Sequence, residues 1–150
     1  MGQISNSGEA PVIRRVMPDV VSDQDLLTLP QSATVLEAAV KMSEHKVRST
    51  LVVTGERLEG IFTGTDLIDR VVAKGLNPSD TELRAVMTAN PVTLSPGSLA
   101  IDALRMMHES GFRHLPICEG ERLLGIVSRR DFMADEEEEI EREDRLWEKL

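Results

Sequence analysis

At 150 residues, with 41% apolar and 29% charged side chains, the chain has the make-up of one globular domain or two small ones sharing a core, which excludes a large multidomain enzyme and a disordered polymer. Aromatics at 3% leave little from which to build a base-stacking platform, so nucleic-acid recognition is disfavoured. The formal charge of -9 is uneven: of 26 acidic and 17 basic residues, nine and three fall in 135–150, which leaves a body nearly balanced and a strongly acidic tail.

The opening Met-Gly-Gln-Ile-Ser-Asn-Ser has neither the basic start nor the apolar stretch of a secretory signal, and no later run reaches the length of a membrane span. Asn6 stands where a myristoylation motif wants Ser or Thr. The single cysteine, Cys118, permits no internal disulfide, so a cytoplasmic protein without membrane attachment is expected. Residues 1–11, polar and Gly/Ser-rich, read as a flexible lead-in.

The rest of the chain is a repeat. Shifted by 65 positions, Thr28–Ile68 falls on Thr93–Met133 without a gap, and Gly55-Glu56-Arg57-Leu58 meets Gly120-Glu121-Arg122-Leu123. Upstream, Val16-Met17-Pro18 resembles Val86-Met87-Thr88 at an offset of 70, so the first copy holds five extra residues, near Ser22-Asp23-Gln24-Asp25. In chain order each copy predicts a brief strand (Leu26–Leu29; Val92–Leu94). An amphipathic helix follows, with the stripe Val35, Leu36, Ala39, Val40, Met42 in the first copy and Ile101, Leu104, Met107 in the second. Two short apolar runs flank a Gly-Glu-Arg turn, predicting a hairpin, and a second helix starts at Asp66 and at Asp131. The fold class is α/β: tandem β-α-β-β-α units packed about a pseudo-two-fold axis, because neither small sheet buries both its faces alone. The first repeat is placed at 12–76 and the second at 77–134, with a hinge at Lys74–Asp80 and an acidic, helix-capable tail at 135–150.

Chemistry concentrates at two matching corners, Gly60-Ile61-Phe62-Thr63-Gly64-Thr65-Asp66 and Gly125-Ile126-Val127-Ser128-Arg129-Arg130-Asp131. A strand ending in a hydroxyl residue and turning into a helix gathers free backbone N–H groups, which suit phosphate, and an ionised Asp in the first turn offers two acceptors, which suit ribose hydroxyls. The same pattern is also an ordinary helix cap, and duplication preserves a cap as readily as a ligand site. His108, His114 and Cys118 match no zinc spacing, and the pairs Arg14-Arg15 and Arg129-Arg130 are too small for a duplex-DNA footprint.

These corners, with Arg113-His114-Leu115-Pro116-Ile117 and the Val-Met followed by a strand near Thr93, resemble the cystathionine-beta-synthase (CBS) domain pair, or Bateman module, across residues 12–134. The resemblance implies clefts between the repeats that bind an adenine nucleotide, AMP foremost, with ADP, ATP, NAD(H) or S-adenosylmethionine as alternatives, and a homodimer of pairs. Carried over, Asp66 and Asp131 bind ribose, Thr63 and Ser128 approach phosphate, and Thr65 joins the ligand-binding set. Arg129, Arg130, Arg113 and His114 neutralise phosphate charge, and Ile61, Ile126, Val127, Leu51 and Pro116 border the adenine. Binding is then the function and not catalysis, since no nucleophile-base pair, metal set or P-loop is legible. The competing expectation is an interaction protein with empty clefts that recruits a protein partner through the tail, where Trp147 stands out.

Overall fold

The computed structural model describes residues 13–132 and 134–149; the whole of the expected lead-in at 1–11, together with Val12, Met133 and Leu150, lies outside them. The first copy runs β1 (Thr28–Leu29), α1 (Val35–His45), β2 (Ser49–Thr54), β3 (Arg57–Thr63) and α2 (Gly64–Asp66), which widens into i→i+5 turns over Leu67–Val72. The linker carries α3 (Leu83–Val86) and β4 (Thr88–Ala89). The second copy supplies α4 (Ala100–Ser110), β5 (His114–Glu119), β6 (Arg122–Ser128), one 3-10 turn at Arg129–Asp131, and α5 (Ala134–Glu148). The strands lie in the order β1-β2-β3-β6-β5, with β4 paired on β3.

Local signals explain most of these elements. Thr34 caps α1, accepting from the Glu37 N–H at 3.1 Å. The two hairpins turn on equivalent two-residue loops whose first residues, Gly55 and Gly120, both have φ of +61°, the left-handed value that matches the strand twist and that a side chain opposes. Where the hairpins meet, the repeat symmetry becomes spatial. Arg57 pairs antiparallel with its counterpart Arg122, the Leu58 N–H donates to Glu121 C=O at 3.1 Å, and the equivalent Leu123 N–H donates to Glu56 C=O at 2.9 Å. A pseudo-two-fold axis therefore passes between Arg57 and Arg122.

Two apolar cores result, one per copy, and each borrows from the other's leading segment. Val16, fully buried, packs with Leu94, Ala100, Leu104 and Met107 of the second copy, and its N–H donates to Ser98 C=O at 2.8 Å. Reciprocally, Leu83 and Val86 pack with Leu29, Val35, Val52 and Phe62 of the first, and the Leu83 N–H donates to Ala33 C=O at 2.8 Å. Each Val-Met segment thus closes the core of the copy it does not precede.

Four expectations change on contact with the structure. The second brief strand shrinks to one bridge, Leu94 to Ile117. On α1 the buried residues are Val35, Ala38 and Met42, the i, i+3, i+7 row that joins the first core, whereas Leu36 and Val40 lie off that row and stay exposed. The helix expected at Asp131 is a single 3-10 turn stopped at Phe132, whose ψ of 152° is extended. The acidic tail docks as well: α5 buries Ile140 in the second core and pairs Glu143 with Arg105 in a bidentate fork at 3.1 and 2.8 Å. Trp147, by contrast, is 74% exposed, so it contributes nothing to that docking.

Candidate functional site

Both corners sit where the sequence puts them, at the exit of a hairpin strand into a helical turn. At the first, the Thr63 N–H donates to Asp66 Oδ2 at 3.0 Å and the Asp66 N–H donates to Thr63 Oγ1 at 3.2 Å, a reciprocal capping box. At the second, Asp131 Oδ2 accepts from both the N–H and the hydroxyl of Ser128, at 2.7 and 3.0 Å. The capping role is therefore realised in both copies, and it uses one carboxylate oxygen of each aspartate. The other oxygen of Asp66 lies 3.6 Å from Arg70 Nε. Asp131 Oδ1 has no partner among the described residues.

Strand alternation sorts the expected lining residues. Ile126 lines a cavity of about 110 Å³ in the groove between the repeats, together with Leu26, Leu27, Ser49 and Leu51 of the first copy. Its neighbour Val127 is fully buried in the second core, so it does not border this groove; consecutive strand residues face opposite sides. Ile61, the counterpart of Ile126, is buried between Leu51 and Thr88 in the sheet. Pro116 is buried too, and its C=O accepts from the Leu94 N–H at 2.9 Å. A wider, shallow depression runs along α1 past Leu36, Val40 and Glu44, but it belongs to one helix face and gathers no polar groups from several elements.

The basic residues divide. His114 lies across the ladder from Ser128. Burial holds its imidazole below the ordinary 6.5, and Arg130 and Arg113 push the same way against Asp131, so at neutral pH it supplies hydrogen bonds and not charge. Arg130 and Arg113 are exposed beside it. Arg129 is tied elsewhere: its guanidinium donates to His108 Nε2 at 2.9 Å and lies 3.7 Å from Glu137, joining the 3-10 turn to α4 and α5. Thr65 is exposed at the start of its helix. Cys118 is buried, and desolvation pushes its thiol up. Among the described residues no group of three or more His, Cys, Asp or Glu converges as a metal site, and no helix is long and apolar enough to cross a membrane.

Sequence reasoning missed Gln24. Its carboxamide reaches across the groove to the main chain of Ile126, donating to the C=O at 2.8 Å and accepting from the N–H at 2.9 Å. The available signal was the change of offset that lodges extra residues around it.

With this geometry in view, comparison with known proteins is decisive: the model of the CBS domain matches residues 13–73 and 83–136. The chain belongs to the CBS domain family. The CBS domain-containing protein CBSCBSPB1 of Arabidopsis thaliana is 38% identical over 111 residues, 74% of this chain but 20% of that one. This chain thus spans about a fifth of the plant relative's length. Among solved structures, a hexameric CBS-CP12 protein from bloom-forming cyanobacteria superposes with a TM-score of 0.75 at 28% identity, covering 86% of this chain and 77% of that one. A CBS domain protein from Pyrobaculum aerophilum complexed with AMP has a TM-score of 0.70 at 21% identity, covering 79% of this chain and 92% of that one, and shares the fold. As in a CBS domain pair, the two repeats of this chain face one another across the groove that Ile126 lines.

Proposed function

We propose that this CBS pair is a regulatory module that binds an adenine nucleotide, AMP first, with ADP, ATP or NAD(H) as alternatives, in the groove between its repeats. The observation that carries this reading is the placement of Ile126 in the inter-repeat cavity, on the strand that ends at Ser128 and runs into the 3-10 turn holding Asp131. The base lies along Ile126 between the repeats, the ribose diol meets Asp131 Oδ1, and the phosphate approaches the corner N–H groups with Arg130 nearby. Asp66, Thr63 and Thr65 form the pseudo-symmetric counterpart with Ile61. The function is binding: the ligand shifts the module between states only as far as its affinities for them differ, and a partner reads the shift. The AMP complex of the Pyrobaculum aerophilum protein supports the ligand class, and a homodimer of pairs is the assembly we assign.

Thermal denaturation with AMP, ADP, ATP, NADH or S-adenosylmethionine tests the reading, since a ligand of the folded state alone raises Tm. AMP raises the Tm of the wild type, and Asp131→Asn, which keeps a capping acceptor, loses most of that rise. Absence of any shift at millimolar nucleotide refutes the reading. The exposed Leu146 and Trp147 at the end of α5 favour a second role in holding a protein partner. Because Ile140 belongs to the core, a deletion that probes this role must begin after residue 144, not at 135.

A further inference from the structure

We infer that Gln24 is a built-in occupant of the base slot: its carboxamide holds the main-chain edge of Ile126 that an adenine would use, and a nucleotide binds this groove by displacing it. The inference rests on the nucleotide reading above and adds the residue that controls access.

The chemistry begins at the edge of β6. In an extended strand the N–H and C=O of one residue point to the same side, so Ile126 presents a donor next to an acceptor. Its complement is an acceptor next to a donor in one plane. A carboxamide has that pattern, and so does adenine, whose N6 amino group lies beside a ring-nitrogen acceptor. Gln24 satisfies both groups of Ile126, at 2.8 and 2.9 Å, and does so while lining the cavity with it.

Space points the same way. The cavity of about 110 Å³ falls short of the roughly 300 Å³ at which small-molecule pockets begin, so a nucleotide needs room that the present arrangement denies. Rotating one side chain out enlarges the cavity and leaves the sheet intact. The carboxamide lies directly on the strand: a Cβ on Gly125 would sit 2.7 Å from Gln24 Oε1, so only glycine there admits it.

The two copies differ at this point. At the equivalent edge of the first copy, Gly60 and Ile61 are paired by the backbone of β4, with Ala89 and Thr88 as partners. That strand cannot leave without unpairing part of the sheet. At the edge of the second copy no strand among the described residues takes the place of β4: the first copy's extra residues follow Met17, and the side chain of one of them, Gln24, fills the place. One groove is closed by main chain and the other by a movable plug, so the Ile126 groove is the one open to exchange.

A plug lowers apparent affinity by the fraction of time it is in place. Titration calorimetry with AMP on the full chain, comparing wild type with Gln24→Ala, is the test. Gln24→Asn, too short to hold both groups of Ile126, serves as the second variant should the alanine chain fold poorly. Loss of two hydrogen bonds from the unliganded state predicts AMP binding about tenfold tighter. Hydrogen exchange gives an independent readout: the Ile126 amide is protected in unliganded wild type, exposed in the variant, and protected again by AMP. If the wild type binds AMP and both variants bind it equally or more weakly, the plug is overturned while the nucleotide reading stands. If neither wild type nor variants bind AMP, the nucleotide reading fails and the plug goes with it.

Discussion

Thr50 is a buried alcohol with nothing to bond to among the described residues. It is fully excluded from solvent, its Oγ1 has no hydrogen-bond partner among the described residues, and it stands opposite Phe62 in the β2–β3 ladder. The second copy has Leu115 at the equivalent position, buried opposite Val127, so this face of the sheet serves a core and not the groove. Thr50→Val replaces a hydroxyl by a methyl of nearly the same shape, leaving no cavity. A buried unsatisfied polar group costs about 1–3 kcal/mol, so the substitution stabilises by about 1 kcal/mol, or roughly 2–4 °C in Tm for a chain of this size. Urea denaturation followed by far-UV circular dichroism measures it; fluorescence is unsuitable because Trp147 is already exposed in the folded state. A higher midpoint at unchanged slope is expected. An unchanged or lower midpoint would refute the idea that the Thr50 hydroxyl is unsatisfied.

Gly60→Ala tests the close seating of β4: the new Cβ would lie 2.8 Å from the Thr88 carbonyl oxygen and 2.6 Å from Met87 Sδ, so it costs about 1–3 kcal/mol, read as a lower urea midpoint. Gly125→Ala crowds the end of the Gln24 side chain and otherwise makes ordinary contacts with Ile117 and Met17, so it is expected to cost less in the same assay. Docking of α5 depends on acid. The hydrogen bond from Arg105 holds the Glu143 carboxyl below its ordinary 4.5, so the fork's stabilisation is complete above that value and is lost as pH falls through the lowered one. Tm measured down the acid limb should therefore fall less steeply for Glu143→Gln than for wild type, and parallel limbs would show that the fork is not coupled to stability.

The duplication, the α/β class and the two acid-tipped corners were legible in the sequence because each is local: a repeated string, a period of two or of three to four, a hydroxyl three residues before an aspartate. The hairpin turns followed from Gly55 and Gly120 for the same reason. What tertiary structure alone decided is where each element finds its partner. The exchange of Val16 and Leu83 between cores, the docking of an acidic helix through Ile140 and Glu143, and the separation of Ile126 from Val127 into groove and core all depend on contacts between residues far apart in the chain. Composition marked 135–150 as a charged tail, but burial of one isoleucine and pairing of a few carboxylates made it part of the fold. Gln24 shows the limit most plainly, since the change of repeat offset marks its loop but nothing in the sequence says what a glutamine there would meet. Only the approach of that loop to the edge of β6, 102 residues later, gives its carboxamide a role.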